Sequence, residues 1–205
     1  MSQGSPDQQP ERYREFESAE KYNSKFVKPK GVRRFSHWLE ARAVERALNH
    51  VSGASVLDCP CGTGRIDGLL RGKFSKVVGL DSSEAMLAVY RQANHERIGQ
   101  QGDAFALPFA DGEFEWVVCH RLLHHFSQDD DRVRLLKSLA RVAKTGVVVY
   151  AWLDTPFNSR RSSRRQTLAR DHLRPLLDAA GLTLEKVYFA AWPFQPKAEL
   201  VCRKK

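Results

Sequence analysis

The sequence predicts an α/β domain: a seven-stranded, mostly parallel, doubly wound sheet with helices on both faces and an antiparallel hairpin at its C-terminal end. Three observations predict it. Short apolar runs alternate with segments of three- and four-residue apolar spacing along most of the chain, the signature of β–α units that form parallel sheets. The last two apolar runs are joined by too few residues for a crossover, so they pair antiparallel. The chain has 205 residues, 42% of them hydrophobic and 28% charged, which is enough to bury one medium-sized core.

The elements follow in order. Trp38, Leu39, Ala43, Val44, Ala47, Leu48 and Val51 recur at helical spacing. Ser55–Cys59 reads as a short buried strand, and a glycine-rich turn then leads into a helix through Ile66, Leu69 and Leu70. Lys76–Leu80 is a second strand ending at Asp81. Ser82, Ser83 and Glu84 can cap a helix that reaches about Asn94. Arg97–Ala104 is a third strand and Phe114–His120 a fourth. Asp129, Asp130 and Asp131 place acid at the positive end of a helix that continues through Leu139. Gly146–Trp152 is a fifth strand, and a helix from about Ser163 to Ala180 stops at Gly181. Leu184–Trp192 and Glu199–Arg203 close the sheet across Pro193–Pro196. Residues 1–12 are expected to be a disordered tail and residues 13–205 a single domain, with 13–37 capping the cleft and 38–205 forming the core.

The net charge of +9 is unevenly spread. Residues 1–50 carry 10 Lys/Arg and 7 Asp/Glu, residues 51–156 carry 12 and 13, and residues 157–205 carry 11 and 4. The flanks are basic and the middle is near neutral, so an anionic partner is expected to meet the flanks. No run reaches the length of a transmembrane helix, and the polar N-terminus lacks the apolar stretch of a secretory signal. Cys59, Cys61, Cys119 and Cys202 have the spacing of neither a disulfide framework nor a zinc site. A reduced, cytoplasmic protein without a bound metal is expected.

Three stretches carry chemistry. Asp58-Cys59-Pro60-Cys61-Gly62-Thr63-Gly64 lies between the first strand and a helix, where glycines admit a ligand close to the backbone and helix N–H groups stand open. Asp81 ends the second strand, 23 residues later, and an acid there can accept hydrogen bonds from a ribose diol. Gly102-Asp103-Ala104 ends the third strand, placing a carboxylate where an adenine amino group can reach it. Ligands of doubly wound sheets sit outside the carboxyl ends of the strands, at the point where strand order reverses.

Taken together, these stretches resemble the class I S-adenosylmethionine-dependent methyltransferases, over roughly residues 36–205. Val56–Gly64 is similar to the family's first motif and Val78–Leu87 to its second. Gln101–Glu115 and the run His120-Arg121-Leu122-Leu123-His124-His125-Phe126 resemble the subgroup that contains quinone-biosynthesis methyltransferases. The resemblance implies a Rossmann-like fold and S-adenosyl-L-methionine as cofactor. It implies that Asp58, Pro60, Cys61, Gly62 and Gly64 form the loop at the cofactor's amino-acid end. It further implies that Asp81 and Ser82 meet the ribose, that Met86, Asp103 and Ala104 meet the adenine, and that His120 lies near the methionine end. Pro60 departs from the family's usual glycine. His120 or His124 would serve as base if the acceptor must lose a proton. No Asn-Pro-Pro-Tyr tetrapeptide and no Pro-Cys nucleophile follow the fourth strand, which argues against amide or adenine nitrogen and cytosine C5 as acceptors.

Two basic segments suit a substrate. Arg160, Arg161, Arg164 and Arg165 sit near the positive end of the expected helix, an unfavourable placement that points to an anionic partner. Tyr22 and Lys25 belong to a stretch where aromatics alternate with cations, suited to a ring-bearing anion or to stacked bases. Neither segment has the signature of an RNA-binding module. The expected function is methyl transfer to a small or lipid-linked anionic acceptor. The alternatives are an RNA-directed methyltransferase and a non-catalytic scaffold with a cofactor-binding fold.

Overall fold

The computed structural model describes residue 19 and residues 32–93, 98–156 and 167–205. Its strands are β1 (Ser55–Asp58), β2 (Lys76–Asp81), β3 (Ile98–Gln101), β4 (Phe114–Cys119), β5 (Ala143–Trp152), β6 (Leu182–Phe189) and β7 (Lys197–Lys204). The helices are α1 (Val32–His50), α2 (Asp67–Arg71), α3 (Glu84–Ala93), α4 (Asp129–Val142) and α5 (Arg170–Ala179). One seven-stranded sheet has the order β3-β2-β1-β4-β5-β7-β6. β1 pairs in parallel with β2 and β4, so strand order reverses at β1. β7 runs antiparallel to β6, as the short connection predicts, and it inserts antiparallel between β6 and β5.

Alternating side chains build two cores, one on each face. Val56, Trp116, Val118, Val148 and Val201 pack with Val44 and Leu48 of α1 and Leu70 of α2. Leu57, Val117, Val147, Val149 and Leu200 point the other way, against Leu135, Leu136 and Leu139 of α4 and Leu173 and Leu177 of α5. Burial on both faces is why the strands read as continuous apolar runs. Gly146 lets β5 and β7 close up: a Cβ there would lie 2.2 Å from the Cys202 carbonyl oxygen.

Several boundaries differ from the sequence reading. α1 begins at Val32, six residues before its apolar pattern starts at Trp38. Phe35 and Trp38 are 60% and 55% exposed and stack on each other, so this end needs no apolar stripe to be helical. The second helix is a single short segment, with Ile66 buried just ahead of it. β3 ends at Gln101 because Gly102 donates its N–H to the Asp81 carbonyl and Ala106 donates to Asp103, which turns the chain. β5 starts at Ala143 with no loop after α4, since Gly112 N–H meets the Arg141 carbonyl and Ala143 pairs with Phe114. α5 starts at Arg170 and not at Ser163. Leu168 lies in an extended bridge with Leu153 and donates its N–H to the Trp152 carbonyl at 2.7 Å, which precludes helix there.

Candidate active site

The loop after β1 is held from three sides. Cys59 N–H donates to the Val118 carbonyl of β4 and Cys61 N–H to the Leu80 carbonyl of β2, each at 2.9 Å. Gly62 and Gly64 have φ of +53° and +84°, the left-handed region in which glycine has no Cβ penalty. Among the described residues no atom lies within 4 Å of the Cβ position at Gly62, so they leave the loop's outer surface open there. Pro60 follows a cis peptide bond and is partly buried, and Cys61 is buried against Leu87 and Tyr90 of α3.

Asp81 ties this loop to α3. One carboxylate oxygen accepts the Gly62 N–H at 2.8 Å and the other accepts the Ser83 N–H at 2.9 Å. Ser83 in turn caps α3, its Oγ accepting the Met86 N–H at 3.2 Å. Ser82 is half-buried between them, and Met86 packs against Ala19 and Val89. Asp67 makes a second tie: it accepts from the Tyr90 hydroxyl at 2.8 Å and from Arg71 Nε at 3.0 Å.

Asp58 is different. It is 1% exposed, and neither carboxylate oxygen has a hydrogen-bond partner among the described residues. Burial, with the negative charges of Asp67 and Asp81 nearby, pushes its carboxyl well above the usual carboxylate range. A buried acid in this state fits a cationic group delivered by a ligand. Asp103 lies at the exposed end of the next strand, where its Oδ1 accepts the Phe105 N–H at 2.8 Å beside the half-buried Ala104.

A second polar group gathers where β4, β5 and β7 end beside α1. His120 is the first residue past β4; its Nδ1 lies 2.9 Å from Glu199 Oε1 of β7, and both side chains are buried. Burial, with Arg65, Arg121 and His124 nearby, holds the imidazole well below its ordinary value. Glu40 of α1 is 3% exposed and receives Arg65 and Arg121, each at 3.1 Å, and Lys197. Burial pushes the Glu40 carboxyl up, but the three cations outweigh it and leave the carboxyl below the usual range. Arg121 adopts φ of +67°, the single positive φ among the described non-glycine residues, in a backbone region that is sparsely populated. His124 stacks among His125, Tyr150 and Trp152.

The structure therefore brings the loop, Asp81, Ser82 and Met86 together and sets His120 beside them. Tyr22, Lys25, Arg160, Arg161 and Arg164 lie outside the described residues. A groove along β6, lined by Arg46, Arg170, Tyr188 and Trp192, contains none of the expected site residues. The sequence reading missed Glu40, Arg65, Lys197 and Glu199. Glu199 had a signal, being one acid within the apolar run Ala198-Glu199-Leu200-Val201-Cys202. Glu40, Arg65 and Lys197 had none, because ordinary surface charges occur at such spacings.

Residues 57–151 match a family described as a methyltransferase domain, and they contain this loop, Asp81, Asp103 and His120. Residues 57–151 are thus similar to a methyltransferase domain. The chain is 34% identical over 114 residues to the demethylmenaquinone methyltransferase of Lactococcus lactis, covering 52% of the chain and 44% of the relative. It is 26% identical over 134 residues to the tRNA (carboxymethyluridine(34)-5-O)-methyltransferase of Xenopus tropicalis, covering 64% of the chain and 21% of the relative. The chain thus spans less than half of the length of either relative. Its fold matches the crystal structure of the Synechocystis magnesium protoporphyrin IX methyltransferase with bound SAH, at TM-score 0.75 and 16% identity, covering 91% and 94% of the two chains. Among the described residues no helix is long and apolar enough to cross a membrane, and no cluster of potential metal ligands occurs.

Proposed function

We propose that this methyltransferase transfers a methyl group from S-adenosylmethionine to a small or lipid-linked anionic acceptor. The observation that carries the reading is the buried carboxyl of Asp58, which has no hydrogen-bond partner among the described residues, at the end of β1 where the glycine loop begins. Asp58 would receive the cofactor's ammonium group, and Gly62 and Gly64 would admit its backbone-like end. Asp81 would use its remaining lone pairs for the ribose hydroxyls, with Ser82 alongside. Met86, Asp103 and Ala104 would border the adenine, and Pro60 and Cys61 would shape the loop. When bound, the cofactor supplies a methyl group already activated on a sulfonium sulfur, so the chain's tasks are alignment and exclusion of water. Arg65, Arg121 and Lys197, gathered on Glu40 beside His120, support an acceptor that bears negative charge. Arg160, Arg161 and Arg164, with Tyr22 and Lys25, would extend that cationic wall.

Incubating a cell extract with the enzyme and isotopically labelled methyl donor tests the reading. The expected result is a labelled small molecule or lipid. Label confined to RNA would replace the acceptor class. The RNA reading draws on the frog relative's substrate and on the basic flanks, and it predicts binding that weakens steeply with salt.

A further inference from the structure

We propose that Glu199 positions His120 as the base that removes a proton from the acceptor, so that the atom methylated is a hydroxyl, an enol or an acidic carbon and not a carboxylate. The inference rests on the methyl-transfer reading above and narrows it.

The geometry begins at β4. Val118 pairs with Asp58, and Cys59 N–H donates to the Val118 carbonyl, so His120 stands two residues farther along, beside the loop that would hold the methyl donor. Its ring is fixed twice. Tyr150 of β5 meets it edge to face at 4.9 Å, and Glu199 of β7 engages Nδ1 at 2.9 Å. The ring's other nitrogen, Nε2, is thereby the atom left for chemistry. Glu199 sits opposite Tyr150 in the β5–β7 register, with apolar neighbours on either side. A fully buried carboxyl is costly in an apolar strand, and a structural role would be expected to satisfy both of its oxygens. Here Oε1 meets His120, and Oε2 is buried without a partner among the described residues.

The charged and titratable groups facing the pair are Glu40 from α1, Arg65 from the β1 loop, Arg121 and His124 from the β4 exit, and Tyr150 from β5. Burial and the neighbouring cations keep His120 neutral at neutral pH. Burial, with Glu40 nearby, pushes the Glu199 carboxyl well above the usual carboxylate range, outweighing the pull of Arg65 and Arg121. With Nδ1–H donating to Glu199, Nε2 keeps its lone pair. As the acceptor's electron pair bonds to the methyl carbon, the carbon–sulfur bond breaks with its pair left on sulfur. The acceptor's proton goes to Nε2, and solvent later takes it. The imidazolium formed in between favours the carboxylate form of Glu199 beside it, and that carboxylate offsets its charge. A carboxylate acceptor is already an anion and has no use for this pair.

Three measurements test the proposal. Long-range ¹H–¹⁵N spectra of the wild type, with the His120 signals assigned through His120→Gln, are expected to show Nδ1 protonated and Nε2 bare. Glu199→Gln is expected to lower the maximal rate of label transfer, from S-[methyl-¹⁴C]adenosylmethionine into a lipid and small-molecule cell extract, by about tenfold or more. Its dissociation constant for S-adenosylmethionine should stay within about twofold of wild type. The transferred label is expected to survive mild alkali, as ethers and C-methyl groups do. Release of the label as methanol, a protonated Nε2, or an unchanged rate in folded Glu199→Gln would each overturn the proposal. If that variant does not fold, the wild-type tautomer and the alkali treatment decide. Failure of the wild type to bind S-adenosylmethionine by calorimetry would overturn the methyl-transfer reading itself, and the two failures are thereby told apart.

Discussion

Asp81 Oδ2 accepts the Gly62 N–H at 2.8 Å, joining the end of β2 to the glycine loop of β1 across the mouth of the sheet. The same carboxylate takes the Ser83 N–H with its other oxygen. One side chain thus sets the loop and the start of α3 against each other. Asp81→Ala removes both bonds and leaves two N–H groups to find water. S-Adenosylmethionine binding is expected to weaken by about a hundredfold, with a stability loss of about 2 kcal/mol. Titration calorimetry and urea unfolding check the two effects, and binding equal to wild type would remove Asp81 from the site.

Asp58 is expected to trade stability for binding. Its carboxyl is raised above the usual range in the folded protein, so the native state binds a proton more readily than the unfolded chain. The sign follows: stability contributed by this group falls as pH rises from about 4 toward the raised value, and the penalty is complete above it. Asp58→Asn should therefore melt at higher temperature than wild type at pH 7 and bind S-adenosylmethionine far more weakly. A melting temperature lowered by several degrees would show that the carboxylate is not an unmet cost.

Glu40 behaves in the opposite sense. Its folded carboxyl lies below the usual range, so its contribution is present above the unfolded value of about 4.3 and is lost as pH falls through the folded one. Glu40→Ala leaves Arg65, Arg121 and Lys197 clustered without their shared carboxylate. A loss of about 3 kcal/mol is expected at pH 7, from buried ion pairs that lose one partner. Urea unfolding of wild type and variant should show the gap unchanged down to about pH 5 and narrowing below about pH 4.

Gly79 couples the β2 backbone to the loop. A Cβ there would lie 2.9 Å from Cys61 Sγ and 3.0 Å from Tyr90 Cζ, both held in place by packing. Gly79→Ala is expected to cost about 2 kcal/mol by overpacking, and to weaken cofactor binding by displacing Cys61. Melting curves and calorimetry on the same preparation check it. Unchanged binding would mean that the loop yields freely.

The four cysteines are free and buried, and burial pushes each thiol up, that of Cys202 to about 12. Thiolate is the reactive form. No thiol labelling is expected in the folded protein at pH 8, and four equivalents are expected after unfolding in urea. Rapid labelling of one thiol before unfolding would contradict the packing around it.

How much could be read from the chain depended on the range of the interaction. The seven strands and the β6–β7 hairpin were legible, because apolar periodicity and connection length are local properties, whereas the reversal of order at β1 came from the sheet itself. Also legible was the placing of Asp58, Gly62, Gly64 and Asp81 at neighbouring strand ends, where the Gly62 N–H meets Asp81. The extended backbone at Leu168 was not, because its pairing with Leu153 overrode a helical pattern.

What the sequence determined alone was the order of the elements and the residues at the tips of β1, β2, β3 and β4. What tertiary structure decided was their company: Glu199 beside His120 across 79 positions, and Glu40 beneath three cations from distant segments. Burial and charge compensation act through space, and only the packed sheet brings those side chains within reach of one another.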